Sequence, residues 1–219
     1  MSALQLVIDS LPVLLQGTLL TLKFAVLSMA FGLLVGVGVA LMGISQLRIL
    51  TIPARIYVSI MRGTPLLVQI FVVYYGLPSL GISLEPTPAG VLTLSLNVGA
   101  YLSESMRGAI LGVPRGQWLA AYSLGMTPLQ TLRYVVGPQA LRLAVPSLSN
   151  SLISLIKDTS LVSVITVTEL LRTSQEIIAA TYQPLPLYLA AAAIYWVLST
   201  ALSALQHVME RRLALPTRN

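Results

Sequence analysis

Long apolar stretches alternate with short polar segments along this chain of 219 residues. A helix needs about 20 predominantly apolar residues to cross the roughly 30 Å hydrocarbon core of a bilayer. Five stretches reach that length, and a soluble helical core could imitate one of them but hardly five. The pattern therefore predicts an all-α integral membrane protein with five transmembrane helices. These helices cover residues of about 14–42, 55–77, 88–110, 141–167 and 185–207.

Glycine and proline mark special positions within the first two stretches. In the second, Arg62-Gly63-Thr64-Pro65 places a proline where it frees backbone groups inside or beside the membrane. Arg62 is either an interfacial arginine that extends to the membrane surface or the anchor of an irregular turn that moves when a pathway opens. Four glycines in the first stretch permit close contact with another helix: Gly32, Gly36, Gly38 and Gly43.

Composition agrees with a membrane protein. Hydrophobic residues make up 56% of the chain and charged residues 9%, whereas soluble domains carry about 25% charged residues. The net charge of +6 does not indicate nucleic acid, because the basic residues are scattered over loops and helix ends. We see no linker, repeat or second domain, so residues 1–219 are predicted to form one membrane domain. The apolar segment 11–44 lacks a cleavage site of the A-x-A kind, and we expect it to be retained.

The distribution of arginine predicts the orientation in the membrane. One side of the membrane would carry Arg48, Arg55, Arg107, Arg115, Arg133, Arg211, Arg212 and Arg218. The other side would carry Asp9, Glu85, Glu169 and Glu176, with Arg172 as its clear cation. Because positive loops face the cytoplasm, we expect the N-terminus outside, the C-terminus in the cytoplasm and the loop of about 114–138 on the cytoplasmic side.

That loop begins with a predicted short amphipathic helix, which Gly125 and the pair Thr127–Pro128 would end. Its apolar surface would be formed by Trp118, Ala121, Tyr122, Leu124 and Met126. Ala120–Ala121, Gly125 and Val135-x-Gly137-Pro138 resemble the EAA loop of ABC-importer permeases, E-A-A-x(3)-G-x(9)-I-x-L-P. Leu119 replaces the glutamate of that motif and Gly137 replaces its leucine, so the spacing is kept and the charge is lost.

Further motifs extend the resemblance over residues of about 11–211. They are similar to the five-helix polar-amino-acid permeases of the histidine, glutamine and arginine type. Residues 6–12 and 74–78 look most like the L-cystine permeases of Gram-negative bacteria. The motifs that carry the resemblance include Leu15-Gln16-Gly17-Thr18, the segments 62–69, 74–78 and 94–97, Arg107-Gly108-Ala109-Ile110 and the segment 156–161.

The resemblance implies a permease subunit of an ATP-driven, binding-protein-dependent amino-acid importer in a bacterial cytoplasmic membrane. It implies a MetI-like fold in which a cytoplasmic coupling helix lies between transmembrane helices 3 and 4. The implied partners are two ATP-binding subunits that hold ATP and Mg, a second permease copy, identical or paralogous, and a periplasmic or extracellular solute-binding protein. The implied coupling residues are Trp118, Ala120, Ala121, Gly125, Met126 and Pro138. Trp118 is alternatively an anchor at the membrane interface.

Enzymatic chemistry finds no support in the sequence. The phosphate-binding pattern GxxxxGK[ST] is absent, as are HExxH and GxSxG. The chain has no cysteine and a single histidine, His207, which cannot build a metal site alone. A stand-alone secondary transporter or channel and a membrane scaffold remain alternatives. Five helices argue against the first, and charges within the membrane argue against the second.

Polar side chains recur at helical spacing in two predicted transmembrane helices. Asn97, Tyr101 and Glu104 form one strip. The other contains Ser147, Asn150, Ser151, Ser154, Lys157 and Asp158. An ionised group at the bilayer centre costs at least about 2.5–3.5 kcal/mol, so these strips should face a cavity or a partner. We predict that Asn97, Glu104, Lys157, Asp158 and Ser160 line or border a solute pathway, with Lys157 and Asp158 complementary to a zwitterionic amino acid. Alternatively, Lys157 and Asp158 neutralise each other or join two subunits, and Glu104 pairs with Arg107 within its helix.

Overall fold

The computed structural model describes residues 2–213, which are helical throughout with short connections and contain no strand. Met1 and residues 214–219 lie outside the described residues, and with them Arg218 of the orientation argument. The helices are α1 (Ala3–Ile44), α2 (Arg48–Gly63), α3 (Leu66–Phe71), α4 (Pro86–Gly112), α5 (Arg115–Ser123), α6 (Pro128–Thr131), α7 (Gly137–Asp158), α8 (Leu170–Thr181) and α9 (Pro184–Leu213). Wider or tighter helical turns continue three of them: Val72–Gly76 and Leu77–Leu80 after α3, Leu132–Val136 between α6 and α7, and Thr159–Ile165 after α7.

Between residues 2 and 213, two helices, α1 and α9, are long and apolar enough to cross a membrane by themselves. Two bent pairs bring the number to as many as four: α2 with 66–80, and 128–165 with α8. α4 contains the predicted span 88–110, and its 27 residues would reach about 40 Å. The polar residues of α4 lower its mean hydropathy. They are shielded from lipid because α4 lies at the centre of the domain, with α1 and α7 packed against it. The location of the five spans therefore remains a prediction, although the all-helical class is clear.

The predicted second span, 55–77, is not one straight helix. The chain bends by 107° between α2 and residues 66–80. Thr64, at the bend, has extended backbone angles, φ −120° and ψ 148°, because a residue that precedes proline is forced out of the helical region. Pro65 therefore ends α2, and the carbonyl groups of its last turn need partners other than backbone N–H groups.

Helix α8 lies between the predicted spans 141–167 and 185–207, where the apolar pattern predicts no helix. It follows the helical segment 128–165 at an angle of 47°. Glu169 caps its first turn, accepting hydrogen bonds from the backbone N–H of Leu171 at 3.0 Å and of Arg172 at 2.7 Å. Glu169 is 0% exposed, so it is not a surface charge of an outer loop as the orientation argument assumed. Its carboxylate also accepts a hydrogen bond from the Tyr195 hydroxyl of α9 at 2.6 Å.

Small residues let α1 and α4 approach each other closely. A Cβ atom added at Gly32 would overlap Cγ1 of Val98, and one at Gly36 would lie 2.9 Å from Cβ of Leu102. The predicted close helix contact is confirmed at these two glycines. Gly38 does not take part, because a Cβ atom there would meet nothing within 4 Å.

Candidate functional site

A groove of about 830 Å³ opens between α2, α4 and α7. Its walls combine the two predicted polar strips with the end of α2 at the bend. The lining residues are Arg62, Thr64, Leu66, Asn97, Val98, Tyr101, Glu104, Ser105, Ser147, Asn150, Ser151, Ser154 and Asp158. Most of these side chains carry a polar group, so the groove is a polar space within an otherwise apolar domain.

Opposite charges face this groove from different helices. The guanidinium carbon of Arg62 lies 5.2 Å from the centre of the Tyr101 ring, a cation–π distance. Glu104 forms the intrahelical pair with Arg107, whose Nε and Nη2 donate to its carboxylate oxygens at 2.8 and 2.7 Å. Arg62 and Asp158 form no ion pair with any residue between 2 and 213. They are therefore the charges of the groove that a bound solute could neutralise.

Two amide side chains hold the bend between α2 and α3. Nε2 of Gln69 donates to the carbonyl of Met61 at 2.9 Å and to the hydroxyl of Thr64 at 2.8 Å. Nδ2 of Asn97 donates to Oε1 of Gln69 at 2.9 Å and to the same Met61 carbonyl at 3.2 Å. These bonds satisfy acceptors that the helix break leaves without backbone partners. Gln69 was not predicted as a site residue, although it is a polar residue in an apolar stretch.

The structure brings three of the five predicted pathway residues together: Asn97, Glu104 and Asp158. Lys157 is exposed and does not line the groove, because adjacent residues of a helix point about 100° apart. Ser160 also lies outside the lining, and its hydroxyl donates to the carbonyl of Lys157 at 2.7 Å. Within the described part of the chain, Lys157 and Asp158 do not form an ion pair.

The predicted coupling helix is α5, and it packs mainly against α6 and the helical turn Leu132–Val136. Trp118 is half-buried against an apolar cluster that includes Val113 and Val136. Ala121 is only 3% exposed. The predicted common surface of Trp118 and Ala121 with Tyr122 and Leu124 is therefore wrong, because the first two face the domain and the last two are exposed.

The remaining predicted coupling residues lie around the end of this helix. Gly125 adopts a positive φ of 75°, which turns the chain directly after α5. Thr127 then caps the next helix: its hydroxyl accepts from the N–H of Gln130 at 3.3 Å, and its own N–H donates to the side chain of Gln130 at 2.8 Å. Ala120 and Pro138 are exposed, and Met126 is half-buried.

The chain matches the family of binding-protein-dependent transport system inner membrane components over residues 28–215. It belongs to that family. The chain is therefore a multi-pass inner-membrane subunit of an ABC importer, and it is not itself an enzyme, because ATP hydrolysis lies in separate subunits of such importers. The family implies ATPase subunits, a solute-binding protein and a second permease as partners.

Several curated relatives are similar over nearly the whole chain. The L-cystine transport system permease protein TcyB of Bacillus subtilis (strain 168) is 49% identical over 203 residues, which are 92% of this chain and 87% of that protein. The nopaline transport system permease protein NocM of Agrobacterium fabrum (strain C58 / ATCC 33970) is 41% identical, with coverage of 94% and 90%. The glutamine transport system permease protein GlnP of Escherichia coli (strain K12) is 37% identical, with coverage of 94% and 95%.

Solved structures share the fold. The crystal structure of an amino acid ABC transporter with histidines superposes with a TM-score of 0.89 at 38% identity, covering 94% of this chain and 96% of that one. An inward-facing structure of the MetNI methionine ABC transporter gives a TM-score of 0.81 at 20% identity, covering 94% and 99%. The predicted MetI-like permease fold is thus confirmed.

Proposed function

We propose that this subunit forms the solute pathway of an amino-acid importer and that its solute is L-cystine or another polar amino acid. One observation carries the proposal. Arg62 and Asp158, two opposite charges on different helices, face the same polar groove and have no ion-pair partner in the described part of the chain. A zwitterionic amino acid carries a carboxylate and an ammonium group, which are complementary to this pair.

Amides and hydroxyls complete this arrangement. Asn150 and three serines of α7 add donors and acceptors along one wall. Glu104 is partly neutralised by Arg107, so it presents less free charge to a solute than Asp158 does. Compared with the predicted pair of Lys157 and Asp158, the groove favours Arg62 as the partner for the solute carboxylate. The names of relatives that carry L-cystine, nopaline and glutamine support an amino-acid solute.

The proposed assembly contains two permease subunits around a two-fold axis, with two ATPases that bind ATP and Mg below them. The second permease is either a copy of this chain or a paralogue. α5 docks on an ATPase through its exposed side, where Leu119 is 64% exposed and Leu124 is 82% exposed. Trp118 and Ala121 pack against the rest of the domain. They therefore contribute to coupling by fixing the orientation in which α5 presents its exposed side to the ATPase. In the proposed orientation, α5 lies on the cytoplasmic side.

Reconstitution of the full transporter in liposomes tests this function. The assay measures ATP hydrolysis and uptake while the solute-binding protein is loaded in turn with L-cystine and with other polar amino acids. We expect both activities to be stimulated by one of these solutes. Uptake that follows an ion gradient without an ATPase would instead support a secondary transporter and would overturn the proposal.

A further inference from the structure

A second cavity, of about 390 Å³, lies between α1, α2 and α4, beside the groove. Its charged side chains are Arg55, Glu104 and Arg107, whose formal charges give the cavity a net charge of +1. Glu104 lines both the groove and this cavity. The remaining walls are Val39, Gly43, Ala54, Val58 and Ser59.

Arg55 and Arg107 both keep N–H groups that can donate hydrogen bonds to a ligand. A guanidinium group carries five N–H donors, and Arg107 uses its Nε and Nη2 groups on Glu104. Arg55 forms no ion pair with residues 2–213, and its side chain is exposed. Guanidinium groups bind phosphate and carboxylate oxygens in pairs of parallel hydrogen bonds. The cavity therefore has the chemistry of an anion site.

The surroundings favour an anion that carries apolar chains. Arg55 is flanked on α2 by Ile52 and Ile56, which are 52% and 54% exposed. Val39, Ala54 and Val58 give the cavity apolar walls. In the proposed orientation, Arg55 and Arg107 lie at the cytoplasmic surface of the membrane, where anionic headgroups are found.

We propose that this cavity binds the phosphate group of an anionic phospholipid, held by Arg55 and Arg107. The site is separate from the transported solute and goes beyond the proposed function. Its position fits the end of α1, because a Cβ atom at Gly43 would lie 3.3 Å from Cδ of Arg107. Gly43 lines the cavity, and a larger side chain there would crowd Arg107.

Native mass spectrometry of the full chain in a neutral detergent tests the site. The probes are phosphatidylglycerol and phosphatidylcholine with the same acyl chains. We expect phosphatidylglycerol to bind about tenfold more tightly, because the phosphate of phosphatidylcholine is already compensated by the ammonium group of its own headgroup and attracts a guanidinium group less. Arg55→Gln should remove about that factor for phosphatidylglycerol and change phosphatidylcholine binding much less.

The matched control is Arg48→Gln, which removes the same charge from an exposed position of α2 outside the cavity. We expect it to change the affinity by less than about twofold, as for an exposed surface charge. If Arg48→Gln and Arg55→Gln lowered the affinity for phosphatidylglycerol equally, the lipid would be attracted by the general positive charge of α2, and the proposed site would be overturned. Equal binding of the two lipids to the unaltered chain would overturn it as well.

A second pair of variants tests the cavity without changing its charge. Gly43→Leu should take up space in the cavity and lower phosphatidylglycerol binding, whereas Gly38→Leu should not, because Gly38 does not line the cavity and a Cβ atom there meets nothing within 4 Å. Equal binding by both leucine variants would contradict the proposed position. Competition with inorganic phosphate and glycerol phosphate identifies the source of the anion. Displacement of the lipid by inorganic phosphate but not by glycerol phosphate would overturn a lipid headgroup in favour of a free phosphate.

Discussion

Asn97 of α4 donates a hydrogen bond to Gln69 across 2.9 Å, and both side chains donate to the carbonyl of Met61 at the end of α2. Asn97 is 9% exposed and Gln69 is 8% exposed. The two amides therefore join the bent segment to the central helix, directly beside the groove.

Removal of this amide pair should loosen the bend. We expect Gln69→Ala to lower the free energy of unfolding by about 1–3 kcal/mol, because the buried Asn97 amide loses its acceptor on Gln69 and the carbonyl of Met61 loses one of its two side-chain donors. Uptake should fall together with stability. Thermal unfolding of the detergent-solubilised transporter and liposome uptake measure the two effects. Gln46→Ala, at an exposed glutamine, is the control and should leave both unchanged. A Gln69→Ala variant of normal stability would contradict the role given to the bend.

The free charges of the groove should control transport. We expect Asp158→Asn and Arg62→Gln each to lower uptake by at least about tenfold, because each removes one charge-assisted contact with the solute. Lys157→Gln is the matched control, since Lys157 adjoins Asp158 in sequence but is exposed and does not line the groove. Assembly with the ATPase should persist in all three variants. If Lys157→Gln abolished uptake and Asp158→Asn did not, Lys157 and not Arg62 would be the cation that binds the solute carboxylate, and the proposed role of Arg62 would be wrong.

The turn after α5 should be sensitive to the residue at position 125. Gly125 has φ +75°, a conformation that β-branched residues strongly disfavour. Gly125→Val should therefore lower solute-stimulated ATP hydrolysis and uptake while membrane insertion stays normal. Gly125→Asn should retain more activity, because asparagine tolerates this conformation.

Gly116→Val is the control for added bulk, since Cβ atoms at Gly116 and Gly125 both meet nothing within 4 Å. We expect this variant to couple normally. Equal loss in Gly116→Val and Gly125→Val would show that bulk on this surface matters and the backbone conformation does not. Leu119→Glu should have only a modest effect although Leu119 lies on the proposed docking surface, because the EAA motif that this loop resembles carries glutamate at the same position.

The bond between Tyr195 and Glu169 should stabilise the junction of α8 and α9. Tyr195→Phe removes a donor from a carboxylate that is 0% exposed. We expect a loss of about 1–3 kcal/mol in the free energy of unfolding. Tyr188→Phe, at a tyrosine that is 43% exposed on the same helix, should have little effect. Thermal unfolding of the two variants side by side decides the point, and equal melting temperatures would contradict it.

The orientation can be tested because the chain has no cysteine. Single cysteines at Gln46 and Ser83 occupy exposed positions in two different connections. We expect a membrane-impermeant maleimide to label Ser83→Cys on intact cells and Gln46→Cys only after the membrane is opened. The reverse labelling pattern would contradict the proposed orientation, because it would place the N-terminus in the cytoplasm and the proposed coupling helix outside.

Local pattern determined much of the fold. The helix bend at Pro65 and the turn after α5 follow from proline and glycine, whose backbone preferences act within a few residues. The polar strips of α4 and α7 follow from helical spacing, which places residues three and four apart on one face. The first and last long helices were predicted from apolar length alone.

Only the tertiary structure decided which polar groups meet. The sequence could not choose between Lys157 and Asp158, because a small rotation of α7 decides which of two neighbours faces α4. It could not show that Glu169 is buried, since its partners Leu171, Arg172 and Tyr195 belong to two helices that pack only in the folded chain. The bond between Gln69 and Asn97 joins residues 28 positions apart. Periodicity specifies which residues share one face of a helix, but packing decides which other helix lies against that face. The groove between Arg62 and Asp158 forms only because α2 and α7 pack beside the same central helix, α4.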